Sequence, residues 1–175
     1  QVHGDRLVGS LCSTILNKRN DKFGATLENR TRFALQLVKS LKKAVPGMPI
    51  DYKFSVVTPE RGKGGIDLNE APIFAKWLEE AGVDMLHVAQ ANHTGNMADT
   101  IPPMGVQPYG FFVDIASQIK KAVTIPVSTV GRIFNPKMAE SILETDKVDI
   151  IGLGRILLAD PDWVNKTKDN KIEDI

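Results

Sequence analysis

Apolar positions along this chain fall into two alternating rhythms. Short runs rich in β-branched residues occur at "PIDYKFSVV" (residues 49–57), "DMLHVA" (84–89), "IPVSTV" (125–130) and "VDIIGLG" (148–154), with turn chemistry such as Pro46-Gly47 or Ala81-Gly82 ahead of them. Between them run stripes at helical spacing: Ala34, Leu37, Val38, Leu41 and Val45; Phe74, Trp77, Leu78 and Ala81; Phe112, Ile115, Ala116, Ile119 and Val123; and Met138, Ala139, Ile142 and Leu143. Strand followed by helix, repeated, predicts an α/β fold. Near-continuous apolar strands are buried on both faces, which predicts a parallel sheet. The longest irregular stretch, residues 90–110, follows a strand, where βα loops carry chemistry, and is read as a functional loop.

Composition narrows the function classes. With 175 residues, 42% hydrophobic and 25% charged, the chain has the profile of a soluble globular protein with one full-sized core. A formal charge of +1 gives no long-range field for nucleic acid or an acidic membrane surface, so neither is an expected partner. No apolar stretch approaches a membrane span. Cys12 is the sole cysteine, which excludes an internal disulfide and fits a reducing, cytoplasmic compartment. His87 and His93 lack a second ligand at metal spacing, so no metal site is expected. "RGKGG" (61–65) lacks the ending of a P-loop and reads as a βα loop.

Two segments carry chemistry. "STVGRI" (128–133) and "GLGRIL" (152–157) each close an apolar run with a Gly-Arg pair. Glycine lets an anion approach the main chain, and arginine adds a charged fork that fits phosphate oxygens. Loops after the last two strands of a (β/α)8 barrel are a recurrent phosphate grip. Gly131, Arg132, Gly154 and Arg155 are therefore candidate phosphate ligands. At this level the residues leave open a flavin enzyme, a flavin-free phosphate-binding barrel, or a catalytically silent folding unit.

Residues 17–45, "NKRNDKFGATLENRTRFALQLVKSLKKAV", resemble the signature of the old yellow enzyme family of FMN-dependent NADH:flavin oxidoreductases, N-x-R-x-D-x-[YF]-G-G-S-x-E-N-R-x-R-F. Asn17, Arg19, Asp21, Phe23, Gly24, Glu28, Asn29, Arg30, Arg32 and Phe33 fall in step, while Ala25 and Thr26 stand where glycine and serine are usual. The resemblance continues through "PVSTVGRI" and "VDIIGLGRILLADPDW". It implies a parallel (β/α) half-barrel: residues 1–175 as the C-terminal four βα units of a TIM barrel, from the end of strand four through strand eight. A whole barrel needs about 250 residues.

The resemblance also assigns roles. It implies FMN as cofactor, NADH or NADPH as reductant, and hydride transfer to an activated alkene or related small-molecule acceptor. Lys53 takes the place of the basic residue that faces the flavin ring, and Gly131, Arg132, Gly154 and Arg155 hold the FMN phosphate. At the substrate end the family carries His-x-x-His or His-x-x-Asn; here His3 is the first member, Arg6 stands at the second, and Val8 replaces the usual aromatic residue. Glu28, Asn29, Arg30 and Arg32 read as an ion-pair network holding a loop. The half-barrel taken alone is expected to be inactive and to form a homodimer through exposed edges at residues 49–57 and 148–154.

Overall fold

Every strand in this fold runs in the same direction, and its place in the sheet follows its place in the chain. The computed structural model describes residues 1–3, 6–59, 63–89 and 108–175. Its strands are β1 (Val2–His3), β2 (Asp51–Ser55), β3 (Met85–Ala89), β4 (Val127–Thr129) and β5 (Ile150–Ile151), all parallel in the order β1-β2-β3-β4-β5. Helices α1 (Arg6–Cys12), α2 (Leu27–Ala44), α3 (Ala71–Ala81), α4 (Val113–Lys120), α5 (Pro136–Glu144), α6 (Arg155–Ala159) and α7 (Trp163–Lys168) intervene or follow, with a 3₁₀ turn at Ile172–Asp174. Sequential parallel order with helical crossovers is the arrangement of a rolling (β/α) barrel segment.

Local chemistry explains the element ends. Thr26 caps α2 by accepting a hydrogen bond from the Asn29 N–H, with Glu28 in the first turn and Lys42 and Lys43 in the last, as the helix dipole favours. Gly82, at φ 105°, stops α3, and its N–H donates to the Glu79 carbonyl. Asn135 caps α5 ahead of Pro136.

The predicted stripes face the core, except that Val45, at the end of the first, is exposed. Ala34 and Val38 of α2, Phe74 and Leu78 of α3, and Ala116 and Ile119 of α4 pack in one core with Leu86, Val88 and Val127. Tyr52 and Phe54 of β2 pack on the Phe74 ring at centroid distances of 6.1 and 5.5 Å. Strand alternation therefore turns Lys53, and in register with it His87, to the face away from these helices.

The strands are shorter than the apolar runs that predict them. Past Ser55 the pairing changes: the Val56 N–H still donates to the Ala89 carbonyl at 3.2 Å, but Val56 also bridges to Ile66, whose carbonyl accepts the Val57 N–H at 2.8 Å. The expected sheet edge at residues 49–57 is corrected: β1 pairs with β2, Val2 opposite Tyr52 and His3 opposite Lys53, so the edges are β1 and β5. Two residues are enough to cover that side of β2 but too few to show alternation in sequence.

At the N-terminal end of the sheet, three carboxylates tie neighbouring strands together. Asp84, just before β3, accepts the Ile50 N–H at 2.6 Å and the Lys42 ammonium at 2.5 Å, while its own N–H donates to the Ile50 carbonyl. Asp149, just before β5, repeats the pattern with the Val127 N–H at 2.8 Å and Lys120 at 3.0 Å. Glu79 accepts from the N–H groups of Thr124 and Ile125 and from the Thr124 hydroxyl. This end is built for stability, which leaves the C-terminal ends of the strands for function. Among the described residues no helix is long and apolar enough to cross a membrane. The predicted functional loop lies outside the described residues over 90–107, His93 included.

Candidate functional site

Where β4 ends, the chain turns at Gly131, whose φ of 120° excludes a side chain on conformational grounds. A Cβ there would also meet the Phe112 ring at 3.0 Å. The Gly131 carbonyl accepts from the N–H groups of Gly110 and Phe111 at 3.1 and 3.3 Å, which fixes the turn against the start of α4. Arg132 follows in the left-handed region at φ 58°, a conformation costing a non-glycine residue about 1 kcal/mol. Its side chain is held: 8% exposed, with the guanidinium carbon 4.8 Å from the centroid of the Tyr109 ring. Tyr109 in turn meets Phe134 edge-on at 4.6 Å.

Where β5 ends, Gly152 donates its N–H to the Thr129 carbonyl at 2.7 Å, and a Cβ at that position would collide with Val130 Cγ1 at 2.6 Å. Only glycine lets the two strand ends come this close. Gly154 differs: a Cβ there would meet nothing within 4 Å, so its backbone borders open space. That space is a cleft of about 310 Å³ walled by both turns, with Tyr109, Phe112, Gly131, Arg132, Gly154 and Arg155 among its lining residues. All four predicted phosphate ligands thus line one cleft. The two arginines are not equivalent, since Arg132 is buried under an aromatic ring while Arg155 is exposed at the start of α6.

An open glycine backbone lining one cleft with two guanidinium groups suits a phosphate monoester such as that of FMN by donor chemistry. The other predicted residues lie apart from the cleft. Lys53 sits mid-strand in β2, half-buried, with its Cα opposite those of His3 and His87. His3 is the last residue of β1, and Arg6 opens α1, exposed and at φ 60°. Tyr109 and Trp163 were not foreseen. Trp163 is 5% exposed and its indole N–H donates to the Phe134 carbonyl at 2.8 Å. The pattern "ADPDW" (159–163) places that tryptophan, but nothing in it points to a main-chain partner.

The signature segment is structural, as its charges suggested. Arg30, 3% exposed, donates to the Cys12 carbonyl and to Glu70, each at 2.5 Å, and to the Ala25 carbonyl at 3.3 Å. Asn17 donates to the carbonyls of Leu11 and Phe23, Arg19 pairs with Asp21, and Arg32 donates to the Lys22 carbonyl. Burial pushes the Cys12 thiol up to about 12 despite the nearby Arg30 charge, so it is not a nucleophile at neutral pH.

Comparison with known proteins gives the family and the fold. The chain is 60% identical over 168 residues to a bilirubin reductase of Mediterraneibacter gnavus, covering 95% of this chain and 26% of that protein. It is 42% identical over 173 residues to a bilirubin reductase of Clostridium symbiosum, covering 95% of this chain and 46% of that one. The chain therefore spans between a quarter and a half of the length of these relatives. Its fold superposes on an old yellow enzyme homologue from Zymomonas mobilis with a TM-score of 0.73 at 19% identity, covering 97% of this chain and 46% of that structure, which identifies the sheet as part of a TIM barrel. With a cleft at the ends of its last two strands, and residues 1–174 matching the family's model, the chain belongs to the NADH:flavin oxidoreductase / NADH oxidase family.

Proposed function

We propose that the protein carrying this chain is an FMN-dependent NAD(P)H oxidoreductase whose acceptor is a conjugated tetrapyrrole of the bilirubin type. The observation that carries the flavin reading is the single cleft shared by the two Gly-Arg turns. Arg132, fixed under Tyr109, and Arg155, exposed, would hold the phosphate from two sides, while Gly131 and Gly154 let its oxygens approach the main chain. Lys53 supplies a cation on the sheet face away from the helices, where it would stabilise negative charge developing on a reduced ring. When bound, flavin supplies the hydride relay from NADH or NADPH to the acceptor. Family membership favours this reading over a flavin-free phosphate-binding barrel.

The acceptor reading rests on the two bilirubin reductases, at 60% and 42% identity. A carboxylate-bearing acceptor would suit the position that the family resemblance gives Arg6, where simple ene-reductases carry a neutral partner and a guanidinium would match a carboxylate fork. His3 would contribute a hydrogen bond to an acceptor carbonyl.

The test is made on the full-length protein. Arg155→Ala should weaken FMN retention by at least about tenfold, since a hydrogen bond to a charged group is worth about 1.5–3 kcal/mol. Lys53→Met should slow flavin reduction more than it weakens flavin binding. Unchanged flavin content after dialysis of Arg155→Ala would overturn the phosphate assignment, and equal losses for Lys53→Met would overturn the ring assignment. Anaerobic NADH- or NADPH-dependent bleaching of bilirubin tests the acceptor; reduction of simple enones without bilirubin turnover would refute it.

A further inference from the structure

The two Gly-Arg turns belong to one closed frame. At its base, the Gly152 N–H donates to the Thr129 carbonyl at 2.7 Å and joins the ends of β4 and β5. The chain then departs in two arms, one through Arg132 to Phe134 and the other through Arg155 and α6 to Trp163. The arms meet again where the Trp163 indole N–H donates to the Phe134 carbonyl at 2.8 Å. Trp163 is buried and does not line the cleft.

A frame pinned at only one end would let its arms separate. Pinned at both, it fixes the spacing between the turn bearing Arg132 and the segment bearing Arg155. A buried indole N–H has one donor to place and no other role in hydrogen bonding, and here it is spent on a main-chain carbonyl two residues beyond Arg132.

We infer that Trp163 is a positioning residue for the anion grip: its indole N–H closes the frame that holds the two arginines about one cleft, and so makes the site selective for the phosphorylated flavin. This rests on the phosphate reading above. A residue that acts through the grip affects FMN, which carries the phosphate, and spares riboflavin, which lacks it. A residue that merely supports the fold affects both.

The experiment measures dissociation constants of FMN and riboflavin, by flavin fluorescence quenching, on the flavin-stripped full-length protein and its Trp163→Phe and Arg155→Ala variants. Trp163→Phe keeps an aromatic ring and removes the donor. FMN affinity should fall about three- to tenfold, the range of one neutral hydrogen bond, with riboflavin affinity unchanged within about twofold. Parallel loss of both ligands, or loss of neither, overturns the inference. If Trp163→Phe does not fold, benzothienylalanine at position 163 replaces the N–H by sulfur at nearly constant ring size, and the same outcomes apply. Arg155→Ala separates the two layers. If Arg155→Ala lowers the affinity for both flavins alike, or for neither, the phosphate reading falls; if it lowers FMN affinity alone and Trp163→Phe does not, only the role of Trp163 falls.

Discussion

Replacing Arg30 by methionine removes three hydrogen bonds from a buried guanidinium at once. Its donors reach the Cys12 carbonyl at the end of α1, the Ala25 carbonyl before α2, and the Glu70 carboxylate just before α3. Breaking a buried ion pair by removing one partner costs about 3–5 kcal/mol. The side chain of Glu70 is 26% exposed, so its orphaned carboxylate regains some water, and the cost belongs near the lower bound, about 3 kcal/mol. The loss is local, because these contacts hold residues 12–26 against two helices. Hydrogen–deuterium exchange of the full-length protein is the suitable assay, with the amides of residues 13–26 expected to exchange about a hundredfold faster. Arg30→Lys should not rescue, since one ammonium cannot reach three divergent acceptors. A change below about fivefold in that segment would refute the reasoning and show that α1 and α2 hold the loop without Arg30.

The strand-start carboxylates make stability fall in acid. The Lys42 ammonium and the Ile50 N–H hold Asp84 below its ordinary value; for Asp149, burial pushes upward, but the Val127 N–H and Lys120 outweigh it. Folded values below the unfolded ones mean that this stabilisation is full above the unfolded aspartate value, about 3.9, and is lost as pH falls through the folded values. The urea midpoint should therefore drop more steeply below about pH 4 in the native protein than in Asp84→Asn/Asp149→Asn, and identical acid slopes would contradict the assignment. The 175-residue chain produced alone should self-associate, because its sheet presents unpaired edges at β1 and β5 and an exposed Ile150. Sedimentation equilibrium checks this, and a folded, stable monomer would count against it.

What the sequence disclosed follows the range of the forces involved. The βα alternation was legible because burial imposes period and composition on every residue of a strand or stripe, as in Phe74, Leu78 and Ala81. The first Gly-Arg pair was legible because Gly131 needs a positive φ, and the second stands two residues after Gly152, where a close approach again demands glycine. Tyr109 and Trp163 were not: one acts on Arg132 through a ring face, the other on Phe134 through a backbone carbonyl, and neither interaction constrains its partner's identity in the chain. The unequal roles of Arg132 and Arg155 were hidden for the same reason, since two identical dipeptides acquire different surroundings only when the turns pack. β1 escaped as an edge because two residues carry no periodicity.

The carboxylate ties at the strand starts overlap like roof tiles. Asp84 reaches back to Lys42, Glu79 reaches forward to Ile125, and Lys120 reaches forward to Asp149. Each tie begins before the previous one has ended, so any cut of the chain between residues 42 and 149 separates the partners of at least one. A chimera with a junction in that interval inherits the two halves of a tie from different parents, and keeps it only if both parents carry the same carboxylate and the same donor spacing. The interval therefore has no seam at which segments can be exchanged without cost, and crossovers that respect it belong before residue 42 or after residue 149.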